Sequence, residues 1–302
     1  MNKKVLVTGG AGFIGSNLVD ALIGLGFEVH VIDNLSGGKK ENVHKKARLH
    51  IKDITDLKDI KSIFKGVSYV FHLAALPRVQ YSIDHPYDTN KTNVGGTVNV
   101  LISSYEAGVK KVIYSASSSA YGDQKIMPLK ENFPAMPKSP YGLHKYIGEL
   151  YCKLWSEVYG LPTVSLRYFN VYGPRNNPEG PYALVIAKFL QQRMNGKPMT
   201  ITGDGRQTRD FTNVKDVVRA NILAMENSKV GRGEVLNIGA GKNQSINKIA
   251  QLIGGPVIHI PARFEPKNTL ADNSLAKKIL GWMPNVNIED GIRELKSLAM
   301  LE

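Results

Sequence analysis

The stretch that decides the fold of this chain is Val5-Leu6-Val7-Thr8-Gly9-Gly10-Ala11-Gly12-Phe13-Ile14-Gly15. The apolar run at its start ends in a glycine turn, and apolar residues then recur at helical spacing over residues 13–25. Glycines in such a turn let backbone N–H groups approach a pyrophosphate, and the N-terminus of the following helix favours its negative charge. The stretch therefore predicts a strand, a dinucleotide-binding turn and a helix.

Strand and helix patterns alternate along the rest of the chain. Further strands are predicted at residues 28–32, 48–51, 69–73, 112–114, 163–166 and 234–238, and helices at 57–64, 94–107, 141–158, 182–194 and 214–224. This alternation predicts an α/β fold with a doubly wound, Rossmann-type parallel sheet. The sequence becomes loop-rich after residue 170. We therefore expect a Rossmann domain over 1–170, with a returning segment at about 214–240, and a smaller interwoven substrate lobe over 171–302.

Composition excludes several classes of protein. The chain has 302 residues, of which 42% are hydrophobic and 22% charged, enough for a full core. Cys152 is the single cysteine, so an internal disulfide is excluded, and Met1 leads into a charged strand start instead of a secretory signal. Apolar runs are far shorter than the ~20 residues of a membrane span. We expect a cytoplasmic protein without membrane contact.

The formal charge of +13 raises nucleic-acid binding as an alternative. However, the cations lie in short scattered groups, such as Lys39-Lys40 and Lys110-Lys111, without interleaved aromatic residues. A solvated basic surface that attracts a small anionic substrate explains them better. No nucleic-acid partner and no metal site are expected.

Asp33 indicates which dinucleotide binds. It lies 18 residues after Gly15 (33 − 15), at the end of the second predicted strand. A carboxylate there accepts hydrogen bonds from a ribose diol and repels a 2′-phosphate. NAD is therefore favoured over NADP, although the neighbouring Lys39 and Lys40 leave NADP open.

Tyr141 and Lys145 are the candidate proton-transfer pair. Four residues apart on a predicted helix, they share one face. A phenol titrates near pH ~10 in water, and an adjacent ammonium favours its ionised form. The serine run at residues 117–119 offers a hydroxyl that could position a substrate oxygen. An exposed i,i+4 pair is the alternative, which the preceding Ser-Pro and this serine run disfavour.

Motifs over nearly the whole chain resemble those of the extended short-chain dehydrogenases, most closely the nucleotide-sugar 4-epimerases of the UDP-glucose 4-epimerase type. Besides the glycine turn and the Tyr141 motif, they are Asp33-Asn34-Leu35-Ser36, Asp53-Ile54, His72-Leu73-Ala74-Ala75, Asn93-Val94-Gly95-Gly96-Thr97, Arg167-Tyr168-Phe169-Asn170 and Gly203-Asp204-Gly205-Arg206-Gln207-Thr208-Arg209-Asp210-Phe211. The resemblance implies reversible C4 epimerisation of a UDP-hexose through a 4-keto intermediate with bound NAD, in a homodimer paired through the helices at 94–107 and 141–158.

The resemblance also implies which residues form the site. NAD would contact Gly9, Gly12, Phe13, Ile14, Gly15, Asp33, Asn34, Ser36, Gly38, Asp53, Ile54, Leu73, Ala74, Ala75, Asn93, Tyr141, Lys145 and Tyr168. The substrate would contact Ser117, Tyr141, Asn170, Leu184, Val185, Thr200, Arg209, Arg263, Glu265 and Thr269, with both arginines on the diphosphate. Ser117, Tyr141 and Lys145 would be catalytic.

Five positions bear on the reaction and the substrate. Counting back from Tyr121 favours Ser117 as the catalytic hydroxyl, with Ser118 as runner-up. Dehydratases of this family carry an Asp-Glu pair where this chain has Ser118 and Ser119, so elimination of water is disfavoured. Thr202 replaces an aromatic that stacks on uracil, which weakens the assignment of the base. Thr269 replaces a bulky tyrosine, so N-acetylated hexoses are expected to fit.

Three rival functions remain from the sequence. A UDP-glucuronate decarboxylase and another nucleotide-sugar oxidoreductase are alternatives within the enzymes. A non-catalytic NAD-binding regulator would need the glycine turn and Asp33 but neither Tyr141 nor Lys145, whose presence disfavours it.

Overall fold

The computed structural model describes residues 3–178, 184–261 and 267–301. The strands are β1 (Lys4–Thr8), β2 (Glu28–Asp33), β3 (Arg48–Ile51), β4 (Tyr69–His72), β5 (Lys111–Ser117), β6 (Thr163–Tyr168), β7 (Val171–Tyr172), β8 (Met199–Thr202), β9 (Thr208–Asp210), β10 (Thr212–Asn213), β11 (Arg232–Ile238), β12 (Asn243–Ser245) and β13 (Val257–Ile260). Seven of them form one parallel sheet in the order β11-β6-β5-β4-β1-β2-β3. The predicted doubly wound sheet is confirmed.

Helices cover both faces of this sheet. They are α1 (Phe13–Gly24), α2 (Leu57–Lys61), α3 (Val79–Asp84), α4 (Pro86–Asn90), α5 (Gly96–Glu106), α6 (Pro140–Tyr159), α7 (Val185–Met194), α8 (Val214–Glu226), α9 (Ile246–Ile253), α10 (Ser274–Leu280) and α11 (Ile288–Leu298). No helix within the described ranges is both long and apolar enough to span a membrane.

The alternation of side chains in β1 separates the two cores of the sheet. Val5 and Val7 pack on the side of α1 and α8, whereas Leu6 packs on the side of α5 and α6. Because successive strand residues point to opposite faces, an uninterrupted apolar run is what a strand buried on both faces requires. All three side chains are fully buried, which stabilises the fold by about 1.5–3 kcal/mol each.

A third core lies in the smaller part of the molecule. There β7 pairs with β10, β8 with β13 and β9 with β12, and the core includes Phe189 of α7, Ile249 of α9 and Ile292 of α11. Between these elements, α8 and β11 return to the large sheet, where β11 lies beside β6. The cleft between the large sheet and the small sheets therefore has walls from both.

The predicted helix at 94–107 begins earlier in the structure. Pro86 opens α4, a π-helical turn over Lys91–Gly95 follows, and α5 continues to Glu106. Proline suits a first helical position because the N–H it lacks would have no helical partner. The predicted helix at 182–194 is described from Val185 onward, since residues 182 and 183 lie outside the described ranges.

Candidate active site

A cavity of about 1320 Å³ runs along the carboxyl ends of the central strands. Residues that follow β1, β2, β3 and β4 line one part of it, and residues of the small sheets line another. Ligands of doubly wound sheets bind in this crevice, where the strand order reverses. The cavity is therefore the candidate site.

The glycine turn (residues 9–15) brings backbone donors to the cavity. A Cβ added to Gly15 would lie 2.1 Å from the Gly9 carbonyl oxygen, and one added to Gly9 would lie 2.7 Å from the Ala74 nitrogen. The first i→i−4 bond of α1 runs from the Ser16 N–H to the Gly12 oxygen, at 3.0 Å. The N–H groups of Phe13, Ile14 and Gly15, in the first turn of α1, precede this bond and are thus left to an anion at the cavity.

Asp33 and Asp53 form the adenosine end expected from the sequence. The Asp33 carboxylate accepts the N–H groups of Ala11 (2.9 Å) and Leu35 (2.8 Å), which fixes it at the end of β2. Its two oxygens can accept further hydrogen bonds. Asn34 donates to Asp53 Oδ2 at 2.8 Å. Although burial raises it, bonds from Thr55 and Asn34 bring the pKa of Asp53 below its ordinary value. Both carboxylates can accept bonds from a nucleoside.

A buried hydrogen-bond chain supports the wall that follows β4. Thr97 donates to the Asn93 carbonyl (2.7 Å), so it accepts from His72 Nε2 (2.9 Å), and His72 Nδ1 accepts from Thr8 (2.7 Å). Burial, and then the charge of Lys145, lower the pKa of His72 to about 3, so this imidazole stays neutral. The chain joins the end of β1, beside the glycine turn, to α5.

Asn93 lies behind this wall instead of lining the cavity. Its side-chain oxygen accepts the Leu76 N–H (2.8 Å), and its amide donates to the Leu76 oxygen (3.1 Å). Leu76 does line the cavity, as do Leu73, Ala74 and Ala75. The structure therefore places Asn93 as a support for the predicted cofactor wall.

The start of α6 positions the predicted catalytic residues. The Ser139 hydroxyl accepts the Gly142 N–H (3.1 Å), and Pro140 occupies the first turn, so the helix begins just before Tyr141. The Tyr141 N–H in turn donates to Ser82 of α3, at 3.0 Å. A Cβ on Gly142 would lie 2.7 Å from the Ser119 oxygen, so this glycine lets α6 approach the serine run.

Ser117 stabilises the ionised phenol of Tyr141. Burial raises the pKa of Tyr141, and a hydrogen bond with Ser117 opposes this rise. Ser117 is 9% exposed and also bonds to the Ser119 hydroxyl at 3.0 Å. Ser118 lines the cavity nearby, but its hydroxyl does not act on Tyr141 in this way.

Lys145 is held at the end of β5. Its Nζ donates to the Ser115 carbonyl at 2.7 Å, and burial lowers its pKa to about 8 despite the nearby Glu149 carboxylate. The expected lowering of the Tyr141 pKa by Lys145 stays a prediction from the sequence. Lys145 still lines the cavity on the same helix face as Tyr141.

A buried ion pair lies one turn beyond Lys145. Glu149 accepts two hydrogen bonds from the Arg167 guanidinium, at 2.8 and 2.6 Å, and both side chains are nearly inaccessible. The guanidinium also lies 4.5 Å from the centre of the Tyr121 ring. This pair joins α6 to β6. It thereby fixes the position of Lys145, one turn earlier on α6, relative to the strands of the sheet.

The small sheets supply the predicted substrate wall. Asn170 donates to Thr269 Oγ1 (3.2 Å), which also accepts the Asp210 N–H (3.3 Å). Arg209 donates to the Thr208 carbonyl at 3.0 Å. The predicted substrate residues that line the cavity are Ser117, Tyr141, Asn170, Leu184, Val185, Thr200, Arg209 and Thr269, together with Thr202. Arg263 and Glu265 lie outside the described residues.

Asp210 fixes this wall from behind. The carboxylate is fully buried and accepts the N–H groups of Ala240 (2.7 Å), Gly241 (3.0 Å) and Ala271 (3.0 Å). Burial raises its pKa to about 6, against the effect of these three bonds. It thereby connects the loop after β11 to the segment that contains Thr269.

The cavity fits a dinucleotide. Its cofactor end combines a glycine turn in which Gly9 and Gly15 admit no side chain, a helix N-terminus and a carboxylate held at the end of β2. The predicted cofactor residues that line it are Gly9, Gly12, Phe13, Ile14, Gly15, Asp33, Asn34, Ser36, Gly38, Asp53, Ile54, Leu73, Ala74, Ala75, Tyr141, Lys145 and Tyr168.

Comparison with known proteins agrees with this geometry. Residues 5–239 match the NAD dependent epimerase/dehydratase family. The chain belongs to this family. Membership of the NAD dependent epimerase/dehydratase family makes NAD the cofactor and confirms the resemblance found in the sequence.

Individual members of the family are similar over almost the whole chain. A putative UDP-glucose 4-epimerase of Methanocaldococcus jannaschii is 40% identical over 301 residues, covering 96% of each chain. The structure of a UDP-glucose 4-epimerase from Thermotoga maritima with UDP-glucose is 42% identical, with a TM-score of 0.92, and covers 98% of this chain and 99% of that one. A UDP-N-acetylglucosamine 4-epimerase from Methanobrevibacter ruminantium M1, in complex with UDP-N-acetylmuramic acid, is 41% identical, with a TM-score of 0.92, over 97% of this chain and 96% of that one.

Several supporting residues of the site were missed in the sequence. His72, Thr8 and Arg167 lie in the motifs quoted above but received no role, because sequence spacing does not show which buried polar groups meet. Glu149 repeats the four-residue interval after Lys145, which could have indicated a third polar residue on the same face of α6. Ser82, which holds Tyr141, had no sequence signal.

Proposed function

We propose that this protein reversibly inverts C4 of a UDP-hexose, through a transient 4-keto sugar and with NAD retained through each turnover. The observation that carries the proposal is the placement of Tyr141, Ser117 and Lys145 where the cofactor end of the cavity meets the substrate wall. The names of the similar proteins support a UDP-sugar as the substrate.

In this reaction, the residues of the chain would transfer one proton and bind the diphosphate of the substrate. Tyr141 takes the proton of the C4 hydroxyl, and Ser117, whose hydroxyl opposes the rise of the Tyr141 pKa, bridges the two oxygens. The cofactor end of the cavity would hold NAD, which would supply a reversible acceptor for the hydride of C4. Arg209 holds the diphosphate, about which the planar 4-keto sugar turns to present its other face. Reduction on that face gives the C4 epimer.

The wall beside Tyr141 favours this reaction over elimination. Ser117, Ser118 and Ser119 line the cavity here, and none of them is a carboxylic acid. Elimination of water needs a separate acid and base next to the sugar. Removal and return of one hydride needs only the proton-transfer group that the site contains.

Incubation with UDP-galactose and no added cofactor tests the proposal. We expect UDP-glucose to appear without net NADH, and Tyr141→Phe to lower the rate by about 10²- to 10⁴-fold while NAD binding persists. A pentose product with CO₂ would indicate the decarboxylase, and accumulated NADH a net oxidoreductase. Failure with every UDP-hexose, or full activity of Tyr141→Phe, would refute the epimerase proposal.

Thr269 supports the admission of N-acetylated hexoses. It is small, it lines the cavity, and its hydroxyl is occupied by bonds to Asn170 and to the Asp210 N–H. We expect comparable rates on the plain and N-acetylated sugar pairs. A preference of about a hundredfold for the plain hexose, the largest that a modest change of pocket volume produces, would contradict this expectation.

We also propose a homodimer paired through α5 and α6. The support is an apolar stripe on α6, where Leu143, Leu150, Leu154 and Val158 are 44–63% exposed at intervals of seven, four and four residues. Such intervals place the side chains on one helix face. Light scattering of the protein and of a Leu154→Glu variant tests this, since a monomeric wild type would contradict it.

A further inference from the structure

Arg78 lines the cavity near the catalytic tyrosine and has no role in the function proposed above. It precedes α3, and its carbonyl accepts the Ser82 N–H at 3.0 Å. The Ser82 hydroxyl accepts the Tyr141 N–H, also at 3.0 Å. Arg78 is thus one helical turn from the residue that holds Tyr141, which places it at the sugar end of the cavity.

The guanidinium of Arg78 has no partner within residues 3–178, 184–261 and 267–301. Neither an ion pair nor a side-chain hydrogen bond joins it to this part of the chain. The other cations near Tyr141 are engaged, since Lys138 lies 3.9 Å from Asp123 and Lys145 donates to a carbonyl. A half-buried guanidinium that lacks a carboxylate is an incomplete ion pair.

Charge at this end of the cavity is positive. Asp33 and Asp53 line the adenosine end, beyond β2 and β3, and Asp123 is paired with Lys138. This leaves the Arg78 guanidinium without a compensating carboxylate among the described residues of the sugar end, whereas Lys145 has the Glu149 carboxylate nearby. A neutral sugar would leave this positive charge uncompensated, whereas an acidic sugar would pair with it.

We propose that Arg78 binds a carboxylate carried by the hexose itself, so that the preferred substrate is an acidic nucleotide sugar. This inference rests on the proposed function and specifies its substrate class. The planar guanidinium presents paired donors that match both oxygens of a carboxylate. Arg78 is then a specificity-determining residue, and the proton transfer remains with Tyr141.

UDP-glucuronate and UDP-glucose test the proposal because they differ only in the oxidation of C6. We would measure kcat/KM of the holoenzyme for both, and the Kd of both by titration of Tyr141→Phe holoenzyme, where turnover does not interfere. Arg78→Gln should lower kcat/KM for UDP-glucuronate about 10- to 100-fold and change it less than about threefold for UDP-glucose. Arg78→Lys, which keeps the charge but loses the paired donors, should fall between them.

Lys125→Gln is the matched control. Lys125 is exposed and does not line the cavity, so this variant removes one positive charge without touching the site. It should leave the ratio of kcat/KM for the two sugars unchanged. If Lys125→Gln and Arg78→Gln shifted that ratio equally, the effect would come from net charge alone. That result would overturn the proposal.

The outcomes separate the two proposals. Equal losses of kcat/KM on both sugars in Arg78→Gln would show that Arg78 contacts the diphosphate. A preference of the wild-type protein for UDP-glucose would show that the site does not select a carboxylate on the sugar. Both results overturn the role of Arg78 and leave the epimerase intact. If neither sugar is epimerised, the proposed function fails, and tighter binding of UDP-glucuronate that Arg78→Gln abolishes would still support Arg78 as the carboxylate contact.

Discussion

Replacing Ser117 with alanine tests the link between structure and chemistry most directly. The variant removes the hydroxyl that opposes the raised pKa of the Tyr141 phenol. Because Ser117 is only 9% exposed, water has little room to replace that hydroxyl. A hydrogen bond to an ionised group contributes about 1.5–3 kcal/mol, so kcat should fall about 10- to 150-fold.

The pH dependence should move in a defined direction. The hydrogen bond lowers the pKa of Tyr141, so its loss raises that pKa further. Ionisation of the phenol then needs a higher pH, and the ascending part of the kcat profile should shift upward in Ser117→Ala. Steady-state rates across pH on the saturated holoenzyme measure both quantities.

Ser118→Ala is the matched control for this prediction. The two serines are adjacent and line the same wall, but only the Ser117 hydroxyl acts on Tyr141. Ser117→Ala also loses its bonds to Ser119, so a thermal melt must show that the variant is folded at the assay temperature. A larger effect of Ser118→Ala, or an unshifted pH profile in folded Ser117→Ala, would refute the reasoning.

Three further predictions concern the cofactor, pH and stability. Gly15→Ala should weaken NAD binding at least about tenfold in calorimetric titration, because the new Cβ would lie 2.1 Å from the Gly9 oxygen and displace the turn; wild-type affinity would contradict this. Burial lowers the pKa of Lys145 to about 8, so its charge is lost as the pH rises through that value; NAD binding, measured by calorimetric titration, should therefore weaken above pH ~8, and an affinity unchanged up to pH ~10 would contradict a contact between the charged Lys145 and the cofactor. Glu149→Gln leaves Arg167 buried without its carboxylate and should lower the free energy of unfolding by about 3–5 kcal/mol in urea titrations. Adding Arg167→Met to Glu149→Gln should restore stability, whereas adding Arg167→Lys should not, and this pattern would confirm the cause.

The sequence predicted the parts of the molecule that depend on local pattern. The strand β1, the glycine turn and Asp33 follow one another within a single βαβ unit, so their spacing alone determines where they meet. Tyr141 and Lys145 are likewise one helical turn apart on α6. At these positions local structure and function impose the same residues.

Positions that depend on distant contacts could not be predicted in the same way. Asn93 has the residue type of a cofactor contact, yet it bonds to Leu76, and only the path of the chain after β4 shows this. The Lys145 ammonium bonds to the Ser115 carbonyl, 30 residues away in sequence. Arg78 has no pattern around it, and the absence of a partner for it among the described residues depends on contacts between residues distant in sequence.

The return of α8 and β11 to the large sheet constrains how the enzyme can move. The chain passes from the large sheet to the small sheets after β6, comes back at α8, and leaves again after β11. A clamshell opening would have to bend all of these connections together and break the bonds that Asp210 makes across them. These connections favour small movements of the two parts, so under the proposed function the 4-keto sugar would turn within a cavity whose walls change little.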